Sequence, residues 1–194
     1  FPSRLRRRYI VGLCAAAALM VGTGVYLTGS LRNDQLDENK GLVRAGDIGR
    51  TEPTAPPPSV ATLTKVIQAK WPDGTAPLPE LTRLRAGQVL DLREGQLEII
   101  FDTGVEVVLD GPAHFEIRSM DSAYSRRGMI SARVGAEGKG FTIETPTARV
   151  IDLGTEFGVA IDEHGETDVA VFRGIVDLSL EGMASKRLTQ GEAL

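Results

Sequence analysis

From residue 61 onward, apolar and polar side chains alternate with a period of two. Leu97, Ile99 and Phe101 alternate with Glu98 and Ile100; after Asp102-Thr103-Gly104 the alternation resumes as Val105, Val107 and Leu109 against Glu106 and Val108. Successive side chains of a strand point to opposite faces, so each run predicts a strand with one buried face, and the Gly-containing three-residue loop predicts a hairpin. Asp110-Gly111-Pro112 then breaks the pattern before Ala113, Phe115 and Ile117. Further runs follow at Met129 to Val134, Phe141-Ile143-Thr145, Phe157-Val159-Ile161, Val169 to Phe172 and Ile175 to Leu180. Turn signals separate them at Gly135 to Gly140, Thr145-Pro146, Asp162 to Glu166, Arg173-Gly174 and Glu181-Gly182. Short strands with this punctuation predict an all-β domain over residues 61–194, an antiparallel β-sandwich or jelly-roll-like arrangement. A β-solenoid is the alternative, disfavoured by the lack of a strict repeat length. The segment GQLEIIFDTGVEVVLDG is loosely echoed by VAVFRGIVDLSLEG, an echo that hairpin chemistry alone explains.

Ahead of this region the pattern is different. Tyr9 to Gly29 are 21 consecutive uncharged residues, and a helix of that length reaches about 30 Å, one hydrocarbon core. A single transmembrane α-helix over residues 9–29 is therefore predicted, with Tyr9 and Tyr26 near its two ends. Arg4, Arg6, Arg7 and Arg8 form a basic flank over residues 1–8, which places the N-terminus in the cytoplasm and the β domain outside. A cleaved signal peptide is the weaker reading, because its apolar core is usually shorter and ends at a small-residue site. Arg7-Arg8 reads as a topology anchor rather than a twin-arginine signal, and Cys14 as a small apolar residue of the helix. Ala18 with Gly22, and Gly24 with Thr28, have the spacing of helix-pairing motifs, a weak signal in so Ala- and Gly-rich a segment. Residues 30–60 are a linker, polar at first and then carrying Pro53, Pro56, Pro57 and Pro58, which favour an extended, semi-stiff spacer. The chain opens on Phe1 rather than Met, so further residues are expected before it.

Charge and composition narrow the function classes. The formal net charge is −4, but the four arginines before the apolar run leave 18 of the 22 basic side chains against all 26 acidic ones. A body of net charge −8 does not attract a phosphate backbone, so no nucleic-acid partner is expected. One cysteine excludes disulfide frameworks and multi-thiolate metal sites. His114 and His164 are the two imidazoles. His114 should face away from Phe115, on a solvated strand face, and His164 lies in a polar turn too short for a calcium loop. Glu116, Glu144 and Glu156 are the outward acids that any sandwich carries, not a glycosidase pair. The glycines follow turns rather than a phosphate-binding strand-loop-helix order. No enzyme, catalytic residue, cofactor or metal is predicted.

The stretch FTIETPTARVIDLGTEFGVAIDEHGETDVAVFRGIVDLSL, with the closing LTQGEAL, resembles the FecR family of bacterial anti-sigma signalling proteins. The matching elements are Phe141 with Thr145-Pro146, then Leu153-Gly154-Thr155-Glu156-Phe157-Gly158-Val159, Val169 and Val171, Gly174 with Val176, and Gly191-Glu192; upstream, Asp110 to Phe115 is similar to the family's G-x-A-x-F segment. Gly154, Thr155, Phe157 and Gly174 are expected to be structural: Gly154 for a backbone conformation closed to other residues, Thr155 for a local hydroxyl bond, Phe157 for the core. The resemblance implies a protein of the bacterial inner membrane, N-terminus cytoplasmic and β domain periplasmic. It would sense an envelope protein or outer-membrane receptor and regulate an extracytoplasmic-function sigma factor through a segment preceding Phe1. The wording is also close to a branch, seen in planctomycete-type bacteria, in which a lectin-like sandwich follows the β module. The competing function is therefore a membrane-tethered adhesion or carbohydrate-binding protein with the β module as spacer.

Overall fold

The computed structural model describes residues 56–180 and 184–194. The predicted span and basic flank lie outside these residues, as does the linker up to residue 55. Among the described residues no helix is long and apolar enough to cross a membrane.

The described chain is all-β. Twelve strands run in order: β1 (Ser59–Lys70), β2 (Thr82–Arg85), β3 (Val89–Leu92), β4 (Glu94–Phe101), β5 (Glu106–Ile117), β6 (Ser122–Arg133), β7 (Thr142–Glu144), β8 (Ala148–Asp152), β9 (Glu156–Ile161), β10 (Thr167–Arg173), β11 (Ile175–Leu180) and β12 (Lys186–Thr189). A single 3-10 turn, Ala136–Gly138, occupies part of the glycine-rich stretch between β6 and β7. The predicted hairpin is β4–β5, with Ile99 opposite Val107 and Leu97 opposite Leu109. Gly104 N–H donates to Phe101 O at 2.8 Å to close its loop.

Two expectations need correction. Asp110-Gly111-Pro112 is not a strand break, because β5 runs through it from Glu106 to Ile117. Nor do the strands form two separate antiparallel sheets: all twelve share one hydrogen-bonded sheet, and β6 pairs with β7 in parallel. The reason is that the long strands change partners half-way. The first half of β5 pairs with β4 and the second half with β3; one part of β6 pairs with β9 and the other with β7. The sheet therefore divides into two leaves. One leaf holds β2, β1, β4, the start of β5, the end of β6, β9 and β10, and the other holds β3, the end of β5, the start of β6, β7, β8, β11 and β12. Their apolar faces share one core, in which Phe101, Phe115, Phe141 and Phe157 are fully buried.

The leaves join at two creases. The first crosses the β3–β4 junction, β5 and β6 near Gly95, Gly111 and Gly128. The second crosses the β8–β9 and β10–β11 junctions at Gly154 and Gly174. The parallel pair follows from having a crease at each end. In the second leaf β6 runs toward the first crease, and β7, antiparallel to β8, runs away from the second; the two meet pointing the same way.

Keeping the apolar face inward around the first crease requires a change of phase in β6. Ala123 and Ser125 are buried before the bend, Ile130 and Ala132 after it. Phe115 sits opposite Ser125 while His114 sits opposite Arg127, so Arg126 is the extra residue of a β-bulge. Ser125 Oγ, inward and buried, lies 3.1 Å from His114 O and 3.2 Å from Arg127 O and ties the bulge together.

Candidate functional site

The second crease gathers most of the motif residues. Gly154 and Gly174 have φ of +99° and +86°. They face each other: a Cβ on Gly174 would stand 2.7 Å from Gly154 O and 2.7 Å from Thr155 Cγ2. No side chain fits there, and the φ is one that L residues rarely adopt. The two strand junctions can cross at this distance because Gly174 lacks a Cβ; a Cβ on Gly154 would meet only the Lys139 side chain. Leu153 N–H donates to Ile175 O at 3.2 Å, and Val134 N–H to Thr155 O at 2.8 Å, stitching both leaves to the turn. Beyond it β9 continues with Phe157 and Val159 in the core.

Gly191-Glu192 extends the same crease. After β12 the chain turns at Gly191, and Gly191 to Leu194 run back along β10. Val169 N–H donates to Leu194 O and Val171 N–H to Glu192 O. The Glu192 carboxylate accepts the Thr189 N–H at 2.7 Å and the Thr189 hydroxyl at 3.0 Å, which holds its pKa below the usual carboxylate range.

Sequence reasoning missed Asp152. It is wholly buried, opposite Val176 on β11. Its Oδ2 accepts the Gly154 N–H at 2.6 Å. Burial pushes the carboxyl up to about 6, against the opposing pull of the Gly154 and Thr155 amides and of Lys139. Its Oδ1 has no hydrogen-bond partner, and neither does Thr155 Oγ1, which is also buried. The local hydroxyl bond expected of Thr155 is thus not formed; its methyl packs against Gly174 instead. The only signal for Asp152 in the sequence is an acid at an inward position of an apolar strand, two residues before a glycine.

The remaining candidates lie apart from this crease. His114 is on the face opposite Phe115, its Nδ1 3.1 Å from Asp91 Oδ2, and Arg127 Nη2 is 3.5 Å from Asp91 Oδ1. These three side chains form a row across β3, β5 and β6, while Ser125 points to the other face, so no hydroxyl nucleophile joins them. His164 lies in a turn where Asp162 Oδ1 accepts the His164 and Glu166 amides, both at 2.9 Å. Glu144 pairs with Arg118 and lies 3.7 Å from Arg149; Glu116 lies 4.0 Å from Arg118 and Glu156 3.7 Å from Arg133. Each acid therefore faces an arginine rather than another acid. Among the described residues no three His, Cys, Asp or Glu side chains converge as metal ligands would.

Residues 88–177 match the family model described as FecR protein. This stretch of the chain is similar to a FecR domain. The match runs from just before β3 into β11 and includes both creases as far as Gly174. The folded unit is larger than the FecR match, because β1 pairs with β4 and β12 with β11, and Val60, Leu63, Leu84 and Leu188 belong to the same core. Two crystal structures of a candidate anti-sigma factor from Parabacteroides distasonis ATCC 8503, at 1.65 and 2.50 Å, are similar to the chain at 23% identity, with TM-scores of 0.47 and 0.46. Each alignment covers 55% of this chain and 58% of the other, so less than two thirds of those proteins is represented. No curated protein matches the chain.

Proposed function

We propose that this chain is the receiving part of a single-pass inner-membrane regulator of an extracytoplasmic-function sigma factor. The FecR match over residues 88–177 is the observation that carries this reading. The Arg-rich start, the uncharged run from Tyr9 to Gly29 and the proline-rich linker are consistent with an anchored domain held away from the membrane. In this reading the FecR domain is periplasmic, catalyses nothing and engages an envelope protein or outer-membrane receptor. A partner shifts the regulator only by binding one of its states better than another. The sigma factor is engaged through a segment preceding Phe1.

Full-length protein used as bait against the sigma factors of its own cell is expected to retain at least one. Retention of none overturns the regulatory assignment. Protease added to intact spheroplasts is expected to cut the β domain. A domain cut only after lysis reverses the assigned topology.

A further inference from the structure

We propose that Asp152 makes the second crease an acid-tightened latch: with its carboxyl protonated the Gly154–Thr155 turn is held shut against Gly174, and with it ionised the turn opens more readily to water.

The argument starts from hydrogen-bond capacity. An ionised carboxylate has about four acceptor sites; here the Gly154 and Thr155 amides act on the carboxyl, and Oδ1 has no partner. Thr155 Oγ1, in the same turn, is also buried and unpartnered. An unsatisfied buried charge favours any opening that hydrates it, whereas a neutral carboxyl loses little by staying inside. The main chain of Asp152 is itself fixed to the start of β7: Asp152 N–H donates to Phe141 O at 3.0 Å, and Asp152 O accepts from Gly140 N–H at 3.0 Å.

The surrounding charges relieve the carboxylate only in part. Lys139, between the 3-10 turn and β7, lies over Gly154 and acts on it, but is exposed and so screened. On β11 the facing residue is Val176, and the neighbouring Asp177 is engaged by Arg187 at 2.7 Å. On β9 Glu156 faces Arg133, and on β8 and β7 Arg149 faces Glu144.

The sign is fixed by the raised folded-state value. Stabilisation is fully present below the ordinary 3.8 and is lost as pH rises through about 6. If the opened turn returns Asp152 to its ordinary value, closure is favoured about tenfold more at pH 5 than at pH 7.

The latch does not depend on the regulatory reading. Its test is hydrogen exchange of the intact 194-residue chain in detergent micelles, corrected for intrinsic chemical exchange, at pH 5 and pH 7. Protection of the Leu153 and Val134 amides is expected to be about tenfold higher at pH 5, with no matching change at the first crease, and Asp152→Asn is expected to abolish the difference. Equal protection at both pH values, parallel changes at both creases, or an unchanged response in Asp152→Asn overturns the proposal. If Asp152→Asn does not fold, Lys139→Gln decides. Removing the cation should move the midpoint to higher pH, and an unmoved midpoint overturns the latch.

Discussion

Gly95→Ala is expected to cost about 3 kcal/mol or more, because a left-handed backbone costs an L residue about 1–2 kcal/mol and overpacking about 1–3 kcal/mol more. Gly95 has φ of +91°, and an added Cβ would lie 2.4 Å from Gln68 O, 2.5 Å from Ile67 O and 2.6 Å from Gln68 C. These are backbone atoms, which no rotamer change can move away. Gln68 itself has φ of +48°, so β1 is already bent where β4 presses on it. The register of β1 against β4 is irregular between Ile67 and Lys70 for the same reason. Gly104→Ala is the control: its φ is +77°, but nothing lies within 4 Å of the added Cβ, so about 1 kcal/mol is expected. Urea unfolding followed by circular dichroism separates the two. Equal midpoints for the two variants would mean that β1 is not locked against β4 at the crease. Domains hold about 5–15 kcal/mol in total, so the Gly95 variant loses a large share of its stability.

The strands with strict alternation were legible in the sequence, and the corners were not. In β4 and the first half of β5 each inward residue is large and apolar, and period two was enough to place both strands and their hairpin. The β6 bulge at Arg126 defeats the same reading. Parity inverts there, the inward position before it is Ser125, and Tyr124, Arg126 and Arg127 look like a polar loop when read with a constant period. The strands β1, β2, β3, β8 and β12 were missed for related reasons. β2, β3 and β12 are only four residues long and β8 five, and β1 loses its alternation beyond Leu63, where the pattern passes from buried to half-exposed. Tertiary pairing with β4 holds it extended.

The parallel β6–β7 pair is invisible to local pattern, since it is a consequence of the sheet bending at both ends. The glycines, in contrast, were visible as turn signals but misread in scale. Gly111 and Gly174 are joints at which a strand path continues into the other leaf, rather than ends of one strand and starts of the next. At the candidate site, Gly154, Thr155 and Gly174 were found by resemblance. Asp152 was not, because its sole signal, an acid at an inward position of an apolar strand, is weak when the strand is bordered by a turn.

Phe157→Ala is expected to lower stability by about 3–5 kcal/mol, the range for emptying a fully buried aromatic site. Phe157 is fully buried in β9 and lies between Ala132 of β6 and Val171 of β10. Ala132 is too small to fill the space vacated, and the crease just before it limits how far β9 can shift. Gly154, Thr155 and Gly174 fix where β9 starts, while β6 and β10 fix its register on both sides. With the backbone held, the cavity stays open and its cost is felt in full. Phe157→Leu keeps most of the volume and is expected to lose about 1 kcal/mol. Ile100→Ala, on a side chain 40% exposed, is expected to lose about 1 kcal/mol or less. Urea midpoints should fall in the order Ile100→Ala and Phe157→Leu, then Phe157→Ala, with unchanged slope if the unfolded state is unaffected. A Phe157→Ala midpoint close to that of Phe157→Leu would show that β9 collapses into the cavity, and then the crease is a hinge rather than a clamp.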